Sequence, residues 1–570
     1  NSGVTATFTD GAPGITQGDV MAGFSSRGGP GQTLGVSKPD ITAPGVNILA
    51  GYTGLEYGVQ TPIFNFLSGT SMSSPHIAGV GALLKDLHPD WTPGQIKSAI
   101  MTTAKIAGVV KEDGVTPANA FDTGSGRVDV ASAINPGLTF DESAANYTAL
   151  AGSLWNANYP SLYLPDMPGK MTVKRTVRSV DSRARNWRVS VSAPADVSIS
   201  VPKQIRLNPG EAVTFDITVD ARFVPLGQVR FATIEFKQGD KVLRFPVTLV
   251  RGEPDVNVSK VCDPASIARG ATTNCTITLK NTTFNPAEVD FFDQLPDQLR
   301  LVPQSVVNAT VWGNSVVYKG SLAGAQPPIV TIAATNDSPA GYLPLSLFGI
   351  APIGGVGDET ITNFNVPAFT YAGKSWTRLG IVSNGYVVVG GGTGADIQFI
   401  NQSLPDALRP NNVLAPFWTD LNPAAGGAVR IGTLTDGVST WLIVDFEGVR
   451  EYSTTRTASF QIWLRIGTVE DITFTYGAIQ GNGDGGFLTV GAENEFGNSG
   501  QNYYVDGTGT LPAVNGMVRV SASAPTPGGT QVITIKAKAD RKGPWLNCAE
   551  MTSDLFQGVN VACFSGTVNR

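Results

Sequence analysis

The sequence predicts a multidomain chain: an α/β portion at its start, followed by several all-β antiparallel sandwich domains. Three observations carry that expectation. The chain has 570 residues, enough for three or four cores at roughly 150 residues per domain. Helix signals cluster before Pro136-Gly137 and almost vanish after it. From there on, apolar residues recur at every second position between turns rich in Gly and Pro.

Composition narrows the function classes. At 42% hydrophobic residues the chain has material for several cores, and no apolar run reaches the roughly 18–20 residues that span a bilayer. Lys and Arg number 40 against 46 Asp and Glu, so no basic footprint for nucleic acid exists. There are two histidines, His76 and His88, which excludes sites built on a His cluster.

In chain order, Ser71 to Asp86 (SMSSPHIAGVGALLKD) is small and apolar enough for a buried helix, ended by His88-Pro89. A second helix starts at Thr92, with Pro93 in the first helical position and Gln95 completing a capping box. Period-two strands follow. Leu243, Phe245, Val247 and Leu249 share one face, as do Cys275, Ile277 and Leu279, then Phe460, Ile462, Leu464 and Ile466, and finally Ile533, Ile535 and Ala537. Each is expected to bury one face only. The glycine runs at Gly390–Gly394 and Gly481–Gly486 open no helix and lack calcium-loop spacing, so they read as hairpin turns.

Chemistry concentrates in Gly69-Thr70-Ser71-Met72-Ser73-Ser74-Pro75-His76. A Ser at a turn into a helix has its hydroxyl at the positive end of the helix dipole, with its own N–H free to donate to an oxyanion. Pro75 is expected in the first helical turn, where a missing N–H costs nothing. On these grounds alone an ordinary Ser N-cap is the favoured reading of the turn.

GTSMSSPH followed by IAGVGALL resembles the nucleophile segment of subtilisin-like serine proteases. The flanking Gly23–Gly28 (GFSSRG), Lys38–Gly45 (KPDITAPG) and Phe121–Val128 (FDTGSGRV) agree with it. The resemblance covers about residues 15–140 and is closest to the large exported subtilases that carry a protease-associated insert upstream. It implies that Ser71 is the catalytic nucleophile of a secreted serine endopeptidase acting on protein or peptide substrates. It gives His76 a supporting role on the same helix, and His88 reads as a surface cap. No segment like those of the family's triad His, triad Asp or oxyanion Asn occurs in the sequence. With family order Asp, His, Ser, a chain that starts late keeps only Ser71, so this one is expected to begin inside a longer precursor. Its partner is then the upstream part of that precursor, and alone it is inactive. The resemblance would allow calcium, but no ligand set or other cofactor signature stands in the sequence.

The expected domains are 1–140, the C-terminal part of the subtilisin-like catalytic domain, and 141–252, which resembles a fibronectin type III-like sandwich. Residues 253–323 resemble the sandwich of bacterial surface proteins, and 324–519 resemble nidogen-like β modules. Residues 520–570 resemble closing strands of the 253–323 sandwich, which would make 324–519 an insertion. The alternative function is an extracellular binding or adhesion protein carrying a protease remnant. Four cysteines in even number suit an exported or cell-surface chain. Loop length favours Cys262–Cys275 with Cys548–Cys563. The crossed pairings stay open, because an insertion would bring both segments into one sandwich.

Overall fold

The computed structural model describes residues 17–32, 35–56, 59–60 and 63–570. Asn1 and the start of the chain, on which the expectation of a precursor rests, lie outside the described residues. The protein is predominantly β, in several sheets, and divides into two compact units. One comprises Asn1–Asn281, Ala287–Leu322 and Thr530–Arg570; the other comprises Thr282–Pro286 and Ala323–Gly529. Among the described residues no helix is long and apolar enough to cross a membrane.

In the first unit the two expected helices form, α1 over Thr70–Leu87 and α2 over Pro93–Thr102. Capping starts α2: Gln95 N–H donates to Thr92 Oγ1 at 3.1 Å, and Thr92 N–H donates to Gln95 Oε1 at 3.1 Å. α1 corrects the expectation for Pro75. The helix begins at Thr70, so Pro75 falls in the second turn and withholds the N–H that would pair with the Ser71 carbonyl. The described residues around α1 form no parallel sheet. Ile48–Gly51 and Phe64–Leu67 make an antiparallel hairpin, and parallel pairing is limited to isolated bridges at Val20–Val110 and Thr42–Arg127.

A sandwich follows. Lys170–Ser179 pairs with Ala212–Asp220, and the facing sheet contains Arg185–Ser192, Val229–Gln238 and Lys241–Arg251. Trp187, Ile217, Ile234 and Phe245 fill its core. Arg175 is buried and donates to four main-chain carbonyls, those of Trp155, Tyr159, Ser161 and Lys174. A guanidinium offers five N–H groups in a fixed fork, so one side chain satisfies the irregular 155–161 stretch leading into the sandwich. Burial pushes its pKa down to about 9.

The next sandwich is assembled from both sides of the second unit. Thr272–Asn281 pairs with Thr530–Ala539, and Ala287–Gln294 pairs with Gly543–Ser553. The chain therefore leaves after Leu322 and re-enters at Thr530. Disulfides join Cys262 to Cys275 and Cys548 to Cys563, each across neighbouring strands of one sheet.

The second unit holds two 7-stranded sheets around Phe417, Phe446, Phe460 and Tyr476. Here one expectation fails. The Thr457–Arg465 strand buries both faces, because Trp463 packs with Leu345, Trp441 and Ile443 beneath the Leu345–Phe348 turn. Gln461 is satisfied there by exchanging hydrogen bonds with the main chain of Leu343 at 3.0 and 2.6 Å. A local cover of this kind leaves no trace in the period of the strand it covers.

Replacing Cys548 and Cys563 together by Ser should lower unfolding free energy by roughly 3 kcal/mol, the value for a loop of about 15 residues. Denaturant titration of the variant against the oxidised parent reads this directly. An unchanged midpoint would show that the bridge contributes nothing.

Candidate active site

Three stretches flanking the helix-entry turn are sewn together by the main chain. Gly28 N–H donates to Phe121 O at 2.8 Å, Thr42 N–H to Gly126 O at 2.9 Å, and Val128 N–H to Thr42 O at 2.9 Å. Gly124 lies at φ +62°, and a Cβ there would meet Pro39 O at 2.2 Å, so only glycine fits the crossing. Gly69 N–H then donates to Gly45 O at 2.8 Å, anchoring the turn into α1.

Ser71 occupies the second position of α1 and is exposed. Its N–H is one of the donors a helix N-terminus leaves without an intrahelical acceptor. Hydroxyl, free N–H and the positive end of the dipole thus coincide at one residue. That is the arrangement needed to attack a carbonyl carbon and hold the resulting oxyanion.

Among the described residues neither histidine is hydrogen-bonded to Ser71. His76 donates from Nδ1 to Met72 O at 2.8 Å, one turn back on its own helix. His88 donates from Nε2 to Ile134 O at 2.8 Å, and its ring stacks on Trp91 with centroids 3.9 Å apart.

Asp40, between the flanking stretches, ties this region to the following sandwich. It pairs with Lys38 and Lys97, both at 2.8 Å, and accepts from the Tyr159 hydroxyl. Burial alone would raise the pKa of Asp40, but Lys97 and Lys38 together hold it below the ordinary carboxylate value.

The surroundings of Ser71 are open. Of the apolar residues in α1, Val80 and Leu84 are buried, whereas Leu83 and Leu87 are exposed. In the hairpin just before the turn, Leu49, Phe64 and Phe66 are 57%, 61% and 62% exposed. A helix this apolar on all sides normally lies inside a fold.

Sequence reasoning missed one cluster. In the second unit the carboxylates of Asp358, Glu359 and Asp420 approach within 4.8 Å of one another. Asn384 Nδ2 donates to Glu359 Oε1 at 3.1 Å, and Leu421 N–H donates to Asn384 Oδ1 at 3.1 Å, which brings the two sides together. Some sixty residues separate Glu359 from Asp420, so no spacing rule could have paired them. Among the described residues around α1 no such group converges.

Residues 9–127 match the Subtilase family, 156–249 the Fibronectin type-III domain, and 342–536 a family described as NIDO related. Among curated proteins, Subtilisin-like protease SBT1.3 of Arabidopsis thaliana is 34% identical over 279 residues, which cover 41% of this chain and 36% of that protein. Subtilisin-like protease SBT5.4 of the same plant is 36% identical over 266 residues, covering 40% and 34%. Subtilisin-like protease Glyma18g48580 of Glycine max is 36% identical over 272 residues, covering 41% and 34%. The chain spans about a third of the length of the curated relatives it matches.

The carboxylates of the second unit set its pH response. Burial, then Glu359, Asp358 and Asp484, push Asp420 up to about 6. Burial likewise pushes Glu493 up to about 8, against one hydrogen bond from Asp406 N–H. Folding raises both values, so each group favours the folded state while protonated. That contribution is complete below the unfolded pKa and is gone once pH passes the folded value. Calorimetry on the whole chain in chelator should show this unit melting at progressively lower temperature from about pH 4 to about pH 8. Asp420→Asn should make the decline shallower between about pH 4 and about pH 6, and Glu493→Gln should make it shallower across the range up to about pH 8. A midpoint rising over this range would refute the assignment.

Proposed function

We propose that this chain, which carries a subtilase segment followed by a fibronectin type-III domain, is the nucleophile-bearing part of a secreted serine endopeptidase. Ser71 is its nucleophile. The observation that carries the reading is the exposed Ser71 at the second position of α1, with its N–H unpaired in the helix.

In the proposed mechanism Ser71 Oγ attacks the scissile carbonyl, its own N–H donates to the developing oxyanion, and an acyl-enzyme forms. A base must take the Ser71 proton. Among the described residues neither histidine is hydrogen-bonded to Ser71, and the reading takes the base and its orienting carboxylate from other chain. The uncovered apolar surface of α1 and of the Phe64–Leu67 strand supports this, since an upstream catalytic segment of α/β type would bury it. Two disulfides support an oxidising compartment and hence export.

A second reading keeps a specific observation in view. The Ala323–Gly529 body is a separate compact unit with its own core, and it would act as a binding module that holds the protease near a polymer or surface.

The chain alone should hydrolyse no protein substrate. A longer form supplying the missing triad residues should be labelled at Ser71 by a fluorophosphonate, and Ser71→Ala in it should lose at least roughly 10³-fold in kcat. Caseinolysis by the isolated chain, or labelling at a different serine, would overturn the assignment.

A further inference from the structure

The sandwich that the chain leaves at Leu322 and re-enters at Thr530 brings three of its core-facing polar residues, Lys260, Asp293 and Asn547, to one place. On Val256–Asp263, the inward residues are Val256, Val258, Lys260 and Cys262. On Ala287–Gln294 they are Ala287, Val289, Phe291 and Asp293. On Gly543–Ser553 they are Trp545, Asn547, Ala549 and Met551. Each polar residue replaces an apolar one in an otherwise regular pattern, and all three meet at one place.

The Lys260 Nζ contacts both Asp293 Oδ2 and Asn547 Oδ1. Asn547 Nδ2 donates to Asp293 Oδ1 at 2.6 Å and to Gln294 O at 3.0 Å. The Lys260 and Asp293 side chains are both 0% exposed. An ammonium and a carboxylate so placed are costly, and well-packed apolar residues would generally serve stability as well or better. The arrangement is instead suited to chemistry: a primary amine lies against a carboxamide, with one carboxyl group touching both.

The geometry points to an intramolecular amide bond between Lys260 Nζ and Asn547 Cγ, formed autocatalytically with Asp293 as the catalytic residue. Asp293 first takes a proton from the Lys260 ammonium, which turns a buried ion pair into a neutral amine and a neutral acid. Burial favours that exchange, since it lowers the pKa of Lys260 against the opposing pull of Asp293. The Nζ lone pair attacks Asn547 Cγ, and the Nζ–Cγ bond forms. The Cγ–Nδ2 bond then breaks while the Asp293 carboxyl relays a proton from Nζ to Nδ2. The released ammonia takes the first proton from the Asp293 carboxyl and leaves as ammonium, which regenerates the carboxylate. No electrons change hands and no cofactor is consumed. The closed site excludes water, which would otherwise compete for the same carbon.

The bond would do what neither disulfide does. Each disulfide joins neighbouring strands within one sheet, whereas Lys260 and Asn547 lie on opposite sheets, 287 residues apart in sequence. The link would fasten the first strand before the interruption to a strand after it. The sandwich would then stay closed whatever load or proteolysis the intervening body meets.

The test is the mass of the folded full-length chain, reduced and measured under denaturing conditions. The expected value is one ammonia below that of the sequence, with a branched peptide containing both Lys260 and Asn547 after digestion. Lys260→Met, which keeps an apolar stem in the core, and Asp293→Asn should each return the full mass for its own sequence. Full mass in the folded parent would overturn the proposal. So would an ammonia loss accompanied by separate, unlinked peptides for residues 260 and 547.

Discussion

The pairing of Thr272–Asn281 with Thr530–Ala539 is the constraint on which the rest of the architecture depends. A strand with one apolar face is stable only when neighbours complete its sheet and a second sheet covers it, and here Thr530–Ala539 in one sheet and Gly543–Ser553 in the other arrive after a long excursion. Without that return, the Val256–Asp263 and Ala287–Gln294 strands would expose Val258, Phe291 and the buried ionic group between them. The excursion can be large because closing a longer loop adds little entropy cost once the ends meet in a favourable register. The register itself is specified by side chains. Ile533, Ile535 and Ala537 fall opposite Ile277, Cys275 and Thr273, and a one-residue slip would turn that whole set to solvent.

The subtilase segment shows the opposite situation. Its own main-chain hydrogen bonds hold residues 23–28, 38–45 and 121–128 together, and Asp40 with Lys38, Lys97 and Tyr159 fastens it to the next sandwich. That scaffold fixes the turn at Gly69 and so the position of Ser71. The face of α1 that carries Leu83 and Leu87, and the apolar residues Leu49, Phe64 and Phe66 before it, have no such cover. Ser71, the proposed nucleophile, is therefore presented on a well-anchored helix end, and among the described residues neither histidine is paired with it.

Much of this was legible in the sequence because the signals are local. The capping box at Thr92 and Gln95, the GTSMSSPH turn, the period-two strands and the short-range cysteine pairs each involve residues close together in the chain. Most of what escaped depends on distant residues. Pro75 is a local miss instead: as the sixth residue of α1, and the fifth even for a helix starting at Ser71, it lies in the second turn. The double-sided burial of Thr457–Arg465 needs Leu345, over a hundred residues away. Asp358, Glu359 and Asp420 likewise meet only in the folded unit. Lys260, Asp293 and Asn547 did leave a readable trace, since each breaks an apolar register. Three such breaks on separate strands become a cluster only once the strand order is known.

The central claim is that Ser71 sits on a helix whose apolar surroundings are completed by other chain. Hydrogen–deuterium exchange on the full-length protein tests it most directly. The account predicts that amides of Thr70–Leu87 and of the Phe64–Leu67 strand exchange far faster than those of Lys241–Arg251 or Thr272–Asn281, because exposed apolar faces lend little stability to the bonds beneath them. Protection of Thr70–Leu87 equal to that of the sandwich strands would contradict it.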